Sequence, residues 1–281
     1  MAGIALPGEM GERARDILAG RVRPVPARDA ATVMLLRDSS QGLRVYMLRR
    51  QSTMAFAAGA YVFPGGSVDP RDADHAVAWA GPSPREWGEL LGAEEAIARA
   101  LVCAAVRETF EESGVLLAGP SEDSVVEDTT GDDWEADREA LIGRSLAFAD
   151  FLDKRGLVLR SDLMRPWAHW ITPEVESKRY DTRFFAAALP PGQRTRDVGG
   201  EADRVAWVLP AEGVAAGQRG EMFMLPPTYT ALTELAEFAT TEDALAAERR
   251  IVPYMPRIAE VGEEIHLVLP ETTYGLPGKM L

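Results

Sequence analysis

The stretch that decides the fold is Arg107-Glu108-Thr109-Phe110-Glu111-Glu112-Ser113-Gly114-Val115. At about 100° per residue in a helix, its three glutamates fall within an arc of roughly 100°. The same sector, followed backwards along the helix, contains Ile97, Leu101 and Ala104. The stripe that should face the core therefore ends in three carboxylates. Like charges one turn apart repel each other, and burying them without partners is costly.

Two adjacent glutamates on a helix usually form a solvated face, but the flanking sequence argues against that interpretation here. Gly114 is a typical helix stop, and residues 115–117 indicate the start of a strand. The acids therefore lie where a helix returns into the fold. A divalent cation would offset both the repulsion and the burial, and oxygen-only ligands suit Mg²⁺ or Mn²⁺.

The composition narrows the class of protein. Of the 281 residues 46% are hydrophobic, enough for a sizeable core, and the formal net charge is −14. That charge argues against nucleic-acid binding, which depends on Lys and Arg neutralising phosphates, but it is compatible with a phosphorylated small molecule. The single cysteine, Cys103, is expected in the core. Because no apolar run approaches the roughly 20 residues that span a bilayer, we expect no membrane partner and a cytoplasmic location.

The order of predicted elements favours an α+β fold or an α/β sandwich, because strands and helices occur without regular βαβ alternation. Strands are predicted at residues 31–36, 44–49, 167–171, 183–188, 204–209 and 265–269. Helices are predicted at residues 9–18, 94–113 and 140–154, around Glu212, and at 228–238. Residues 121–139 hold nine acids and one arginine, and we expect a solvated loop and helix start there.

The glutamate stretch resembles the Nudix hydrolase signature, G-x(5)-E-x(7)-R-E-U-x-E-E-x-G-U, where U is a bulky apolar residue. The positions that match are Gly66, Arg107, Glu108, Glu111, Glu112, Gly114 and Val115. The signature is split, since Gly66 precedes Arg107 by 41 positions instead of 14, and Thr109 stands where an apolar residue is usual. Arg99 occupies the place of the first glutamate when counted back from Arg107, so Glu94 or Glu95 would brace Arg107.

A split signature of this kind is similar to that of the branch of peroxisomal CoA diphosphatases, which carry a long insertion at this place. Further similar stretches are residues 63–66, 170–174, 178–185 and 225–228. The resemblance implies one Nudix domain, an α/β/α sandwich with a mixed sheet. Its core would cover about residues 30–235, with an insertion at about 70–93 and a C-terminal extension at 236–281.

The insertion at 70–93 is polar and rich in Pro and Gly, which predicts a surface excursion beside the active site. Trp79 and Trp87 indicate that it packs against something. That neighbour would be the substrate groove or a second subunit, which keeps a homodimer open as an alternative.

The resemblance also implies a site. Glu108, Glu111 and Glu112 would ligate Mg²⁺ (or Mn²⁺), with the Gly65 carbonyl as a further ligand, and Arg107 would orient the carboxylates. Water would attack a diphosphate, a reaction that needs positioning and charge more than a nucleophilic side chain. Glu111 is the first candidate for the general base. The second is Glu201, although an ordinary loop acid is the more common interpretation of such a residue.

The substrate would be a small nucleotide diphosphate. Basic residues must meet the rest of it, and the candidates are Arg50, Lys178 and Arg179, each equally consistent with a surface charge. CoA or acyl-CoA, cleaved to 3′,5′-ADP and a 4′-phosphopantetheine product, is the first hypothesis. NADH, ADP-ribose or a dinucleoside polyphosphate is the second. A nucleotide sensor without activity is the third, and the intact glutamate trio argues against it.

Overall fold

Helices and strands follow one another without a regular repeat in the computed structural model, which describes residues 3–51, 57–196, 202–262 and 264–268. The α-helices are α1 (Gly8–Leu18), α2 (Pro84–Leu91), α3 (Glu95–Ser113), α4 (Asp132–Ile142), α5 (Phe148–Arg155), α6 (Pro210–Gln218), α7 (Pro226–Leu235) and α8 (Thr241–Ala246). The strands are β1 (Gly3–Ala5), β2 (Arg28–Ser39), β3 (Gly42–Arg50), β4 (Tyr61–Val62), β5 (Gly65–Ser67), β6 (Trp79–Ala80), β7 (Ala118–Gly119), β8 (Val158–Arg160), β9 (Met164–Ile171), β10 (Tyr180–Ala188), β11 (Ala202–Val208), β12 (Pro253–Tyr254), β13 (Arg257–Val261) and β14 (Glu264–Val268). Short 3₁₀ helices cover Pro70–Ala73 and Ser161–Leu163.

An eight-stranded mixed sheet forms the centre, in the order β11-β3-β2-β10-β9-β12, with β4 beside β3 and β5 beside β2. The pairs β2–β10 and β9–β12 are parallel, and the other pairs are antiparallel. Successive side chains of a strand point to opposite faces. On β10, Phe185 and Ala187 therefore pack with α2 and α3, whereas Phe184 and Ala186 pack with α7. The sheet lies between two helical layers, so the predicted mixed-sheet sandwich is confirmed.

Helix α3 is the central helix of one layer. Residues 100–106 are buried on every side of it, and it ends at Gly114, whose φ of 74° is a left-handed conformation that glycine adopts at little cost. The expectation that Ile97 shares the buried face is wrong, because its side chain is 37% exposed. In the first turns the helix buries the side that carries Ala98 and Val102 instead.

Two local predictions differ from the structure. The single helix expected at residues 140–154 is two helices, α4 and α5, because α4 ends in a turn at Gly143 and Arg144. The strand start expected at residues 115–117 precedes a strand of only two residues, β7. The other predicted strands and helices lie where the sequence indicates, with shifted ends.

Helix α2 of the inserted segment packs into the core, as Trp87 indicated, so the segment is not only a surface excursion, although many of its other residues are exposed. Helix α2 begins with a capping box between Ser83 and Glu86, which fixes its start. Its apolar side then buries Trp87 and Leu91 in the same cluster as α3. The side chain of Trp87 is 1% exposed. Its ring packs edge to face against the ring of Phe185 in the central sheet, with 5.6 Å between the ring centroids.

The C-terminal segment adds a strand to the central sheet. In β12, Tyr254 pairs with Trp170 of β9, and their ring centroids are 4.3 Å apart. The following strands, β13 and β14, form a second sheet with β1 from the N-terminal segment, in the order β1-β14-β13. In the described ranges, no helix has both the length and the apolar character needed to cross a membrane.

Candidate active site

The C-terminal end of α3 opens onto a cavity of about 740 Å³, a volume typical of small-molecule sites. Its acidic lining residues are Asp69, Asp72, Glu108, Glu111, Glu112 and Glu176. Its arginines are Arg50, Arg71, Arg107 and Arg144. Much of the remaining wall is apolar, including Leu48, Phe63, Ile142, Leu146, Phe148, Trp170, Phe184, Leu225 and Pro226. Charged and apolar side chains thus line the same cavity.

Arg107 organises the acids. Its Nη1 donates to Oε1 of Glu108 at 2.7 Å and to Oε1 of Glu111 at 3.1 Å. Its Nη2 donates to the Ser67 carbonyl at 3.1 Å, which ties helix α3 to strand β5. Arg107 therefore bonds to groups of the protein itself, and its role in orienting the carboxylates stays a prediction.

Asp72, and not Glu94 or Glu95, braces Arg107. The Nε and Nη2 atoms of Arg107 donate to the two carboxylate oxygens of Asp72 at 3.0 and 2.9 Å. Counting forward from Gly66 would have found it, since Asp72 follows that glycine after five residues, as the first acid of the signature does. Counting back from Arg107 failed because the insertion begins after Asp72.

Strand β5 binds the side chain of Glu112 and leaves room for that of Glu108. The Gly65 N–H donates to Oε2 of Glu112 at 2.8 Å. A Cβ on Gly66 would lie 2.6 Å from the carboxyl group of Glu108, so a side chain there would displace that carboxylate. The two glycines let the backbone approach both carboxylates closely.

Too little positive charge surrounds these acids. Burial raises the pKa of Glu108 to about 7, against the lowering effect of Arg107, and Glu111 raises it further. Burial also raises the pKa of Glu111, again against Arg107. One guanidinium therefore does not balance the buried carboxylates, and the site favours an additional cation.

The donor set fits a hard divalent cation. In both Glu108 and Glu111, Oε1 accepts from Arg107 while Oε2 accepts no hydrogen bond from the described residues. Such oxygen ligands suit Mg²⁺ or Mn²⁺. Among the described residues no three His, Cys, Asp or Glu side chains already converge as a metal cluster. The ligand roles of Glu108, Glu111, Glu112 and the Gly65 carbonyl therefore stay predictions.

The acidic segment before α5 supports the end of α3. Arg138 of α4 is buried, and its Nη1 donates to the Glu111 carbonyl at 2.7 Å. A cation there satisfies a carbonyl at the negative end of the helix dipole. The sequence assigned no such role to residues 121–139.

The predicted substrate-binding residues separate in the structure. Arg50 lines the cavity, whereas Lys178 is exposed and not among the lining residues. Arg179 is buried, and its guanidinium donates to the Thr172 and Val25 carbonyls at 3.0 and 2.8 Å. Those bonds link parts of the polypeptide to each other, so Arg179 is not assigned to substrate binding. Glu201 lies outside the described residues.

Known structures define the class of this fold. The crystal structure of a Nudix hydrolase from Alicyclobacillus acidocaldarius has a TM-score of 0.69 and 29% sequence identity to this chain. The match covers 80% of this chain and 98% of the other. The fold is therefore that of the Nudix hydrolases.

Sequence comparison narrows the class to a family. The NUDT19 Nudix domain matches residues 85–235, more than half of the chain, and the chain belongs to this family. The acyl-coenzyme A diphosphatase NUDT19 of Xenopus laevis is 26% identical over 240 residues, which cover 72% of this chain and 62% of that protein. The putative nudix hydrolase 7 of Caenorhabditis elegans is 28% identical over 215 residues, covering 75% and 61%. The chain thus spans about three fifths of the length of these two relatives.

Proposed function

We propose that the protein is a divalent-cation-dependent diphosphatase that cleaves CoA or acyl-CoA to 3′,5′-ADP and (acyl-)4′-phosphopantetheine. The observation that carries the proposal is a single cavity in which Glu108, Glu111 and Glu112 lie beside arginines and a long apolar wall. Acyl-CoA has matching parts, a charged nucleotide diphosphate and an apolar tail. The name of the Xenopus laevis relative supports this choice over other diphosphates.

The residues of α3 would hold the cation, and Arg107 would keep two of them in place through bonds to Glu108 and Glu111. When bound, Mg²⁺ or Mn²⁺ supplies charge neutralisation for the diphosphate and lowers the pKa of water. The reaction then depends on positioning and electrostatics. Asp72 contributes by fixing Arg107 from the other side.

Glu111 is the residue that we assign as general base. Burial raises the pKa of its carboxyl group, which makes the carboxylate a stronger proton acceptor near neutral pH. One of its oxygens is held by Arg107, while Oε2 accepts no hydrogen bond from the described residues. The carboxylate is thus oriented and retains an oxygen that can take a proton from water.

The apolar wall would receive the pantetheine and acyl parts. It combines the loop between α4 and α5, the start of α5, strand β9 and the start of α7, through Leu146, Phe148, Trp170 and Pro226. Burial of a methylene group on such a wall contributes about 0.8 kcal/mol. Longer acyl chains should therefore lower KM until the wall is filled.

A substrate panel tests the proposal. The protein is incubated with Mg²⁺ and CoA, acyl-CoA, dephospho-CoA, NADH, ADP-ribose or diadenosine polyphosphates, and mass spectrometry identifies the products. We expect CoA and acyl-CoA to be cleaved to 3′,5′-ADP with the highest kcat/KM. Faster cleavage of NADH or ADP-ribose would reject the CoA assignment.

Two variants separate the metal site from substrate recognition. Glu112→Gln should reduce kcat/KM by more than ten-fold, about 1.4 kcal/mol of transition-state stabilisation, without loss of thermal stability.

Arg50→Ala should lower activity on CoA more than on dephospho-CoA, because the 3′-phosphate needs a cation. Equal losses on both substrates would remove Arg50 from that role.

A further inference from the structure

Arg144 has a backbone conformation that its side chain does not favour. Its φ is 57°, in the left-handed region that most L-residues avoid. Residues in such conformations persist where the surroundings impose them, often at binding sites. The position is therefore unusual enough to ask what the arginine does there.

The turn that contains Arg144 closes helix α4 and normally takes a glycine. The N–H of Ser145 bonds to the Ala140 carbonyl, and that of Arg144 to the Leu141 carbonyl, which is the Schellman pattern with Arg144 at the left-handed position. Gly143 precedes it with an ordinary helical φ of −72°. The chain thus has its glycine where none is needed and an arginine where glycine would fit best.

Contacts fix this turn beside the glutamates. Arg71, in the 3₁₀ helix Pro70–Ala73, donates from Nη1 to the Arg144 carbonyl at 3.2 Å. Arg71 is itself held by Asp69, from Nε and Nη2 at 3.0 and 2.9 Å. The same 3₁₀ helix carries Asp72, the brace of Arg107. This 3₁₀ helix therefore ties the Arg144 turn to the acidic centre.

Arg144 is exposed at the cavity, and the described residues offer its guanidinium no partner. Arg144 lines the cavity, its guanidinium makes no hydrogen bond or ion pair with the described residues, and its charge reaches Glu111. Arg107 and Arg71 also line the cavity, but their guanidinium groups donate hydrogen bonds to protein acceptors. Arg144 thus offers donors to a ligand where they do not.

We infer that Arg144 is a substrate-binding residue that contacts a phosphate oxygen of the diphosphate next to the glutamates. A guanidinium suits such an anion because it donates two parallel hydrogen bonds. This inference rests on the proposed function only in requiring a diphosphate ligand, whatever the group attached to it.

The test measures binding of a diphosphate that cannot be cleaved. Methylenediphosphonate is titrated into the full-length protein with Mg²⁺ present, in a calorimeter. Arg144→Gly should weaken binding by about ten-fold, as expected for a lost charge-assisted hydrogen bond. Arg144→Asn, which tolerates the same φ, should weaken it equally, and Arg144→Lys should recover part. Arg85→Gln, the loss of an exposed arginine on α2, is the control and should bind as the wild type does.

Thermal unfolding separates ligand binding from a structural role. Arg144→Gly should raise Tm by about 2 °C, because glycine relieves the left-handed conformation, while KM for CoA rises and kcat changes little. A lower Tm with unchanged affinity would mean that Arg144 only stabilises the helix end, and would overturn the inference. If wild type and Arg144→Gly bound methylenediphosphonate with equal affinity, the inference about Arg144 would be overturned, while the proposed function would stand. A wild type that binds no methylenediphosphonate would contradict the proposed function as well.

Discussion

Asp72 is the residue on which the geometry of the acidic centre depends. It is 2% exposed, and both of its oxygens accept from Arg107. Asp72→Asn removes one partner of a buried pair, which is costly because the other charge stays buried. We expect a loss of about 2 kcal/mol in the free energy of unfolding and at least a ten-fold fall in kcat/KM, measured by urea unfolding and steady-state kinetics.

Two matched variants make that result specific. Asp72→Glu keeps the carboxylate and should recover part of the activity. Asp74→Asn changes an exposed acid of the same segment and should leave both measurements within error. Wild-type activity in Asp72→Asn would show that Arg107 needs no brace.

Glu108 gives the metal-free protein a pH dependence. Burial, opposed by Arg107, raises its pKa to about 7 from the ordinary value of 4.5. Between these values the folded state holds a proton that the unfolded chain has lost, so the free energy of unfolding falls as pH rises. Glu108→Gln should remove this contribution. With EDTA present, it should be more stable than wild type near pH 7.5, and the difference should vanish near pH 4.

Urea unfolding across that pH range measures the effect. Glu89→Gln, at an exposed position, should follow the wild type. A constant difference between Glu108→Gln and wild type over the whole range would contradict the shifted pKa. Added Mg²⁺ should stabilise the wild type more than the variant, because a ligand that binds the folded state stabilises it.

At the scale of single residues, the sequence predicted the three glutamates and Arg107 because their spacing and the stop at Gly114 are local signals. It missed Asp72, because the insertion displaced the spacing when counted from Arg107. It did not single out Arg144, because no sequence pattern signals an arginine whose backbone has a left-handed conformation. It misassigned Arg179, since a basic pair does not reveal which carbonyls its guanidinium will meet.

At the scale of elements, helix α2 shows that the inserted segment is structural. Trp87 is 1% exposed and packs on Phe185, whereas Leu90 of the same helix is 46% exposed. Trp87→Ala should therefore destabilise the protein by about 3–5 kcal/mol, and Leu90→Ala by less than about 1 kcal/mol.

Chemical denaturation measures both losses. Trp87→Phe is a further control, because the Trp87 indole N–H has no partner among the described residues, so a phenyl ring gives up no hydrogen bond. Similar losses for Trp87→Ala and Leu90→Ala would show that α2 lies on the surface, as the sequence predicted. The Pro and Gly residues of the segment led to that prediction, since they hid a short amphipathic helix of only eight residues.

Helices α4 and α5 illustrate a second limit of sequence analysis. The apolar pattern continues across residues 140–154, so periodicity predicts one helix. The break is the turn at Gly143 and Arg144, which closes α4 through local backbone bonds and also accepts a bond from Arg71. Long, regular elements such as β2, β10 and α3 were predictable, because their patterns extend over several turns or strand repeats.

At the scale of the whole molecule, the central sheet continues beyond the core that the sequence predicted at residues 30–235. Strand β12 pairs with β9 as its outer neighbour, and Pro256 and Leu267 line the cavity. Sequence patterns could not show this, because a two-residue strand has no periodicity. The C-terminal segment therefore takes part in both the sheet and the candidate site.

Tyr254 tests that coupling. It is buried against Trp170, a residue of the cavity wall, whereas Val252 is exposed. Tyr254→Ala should lower the free energy of unfolding by about 3 kcal/mol, and it should raise KM for acyl-CoA because the support of Trp170 is lost. Unfolding should remain a single transition by fluorescence and circular dichroism, since the sheet connects both parts. Val252→Ala should change neither stability nor KM. If Tyr254→Ala produced a separate early transition with unchanged KM, the C-terminal segment would be an independent appendage, and the cavity wall would not depend on it.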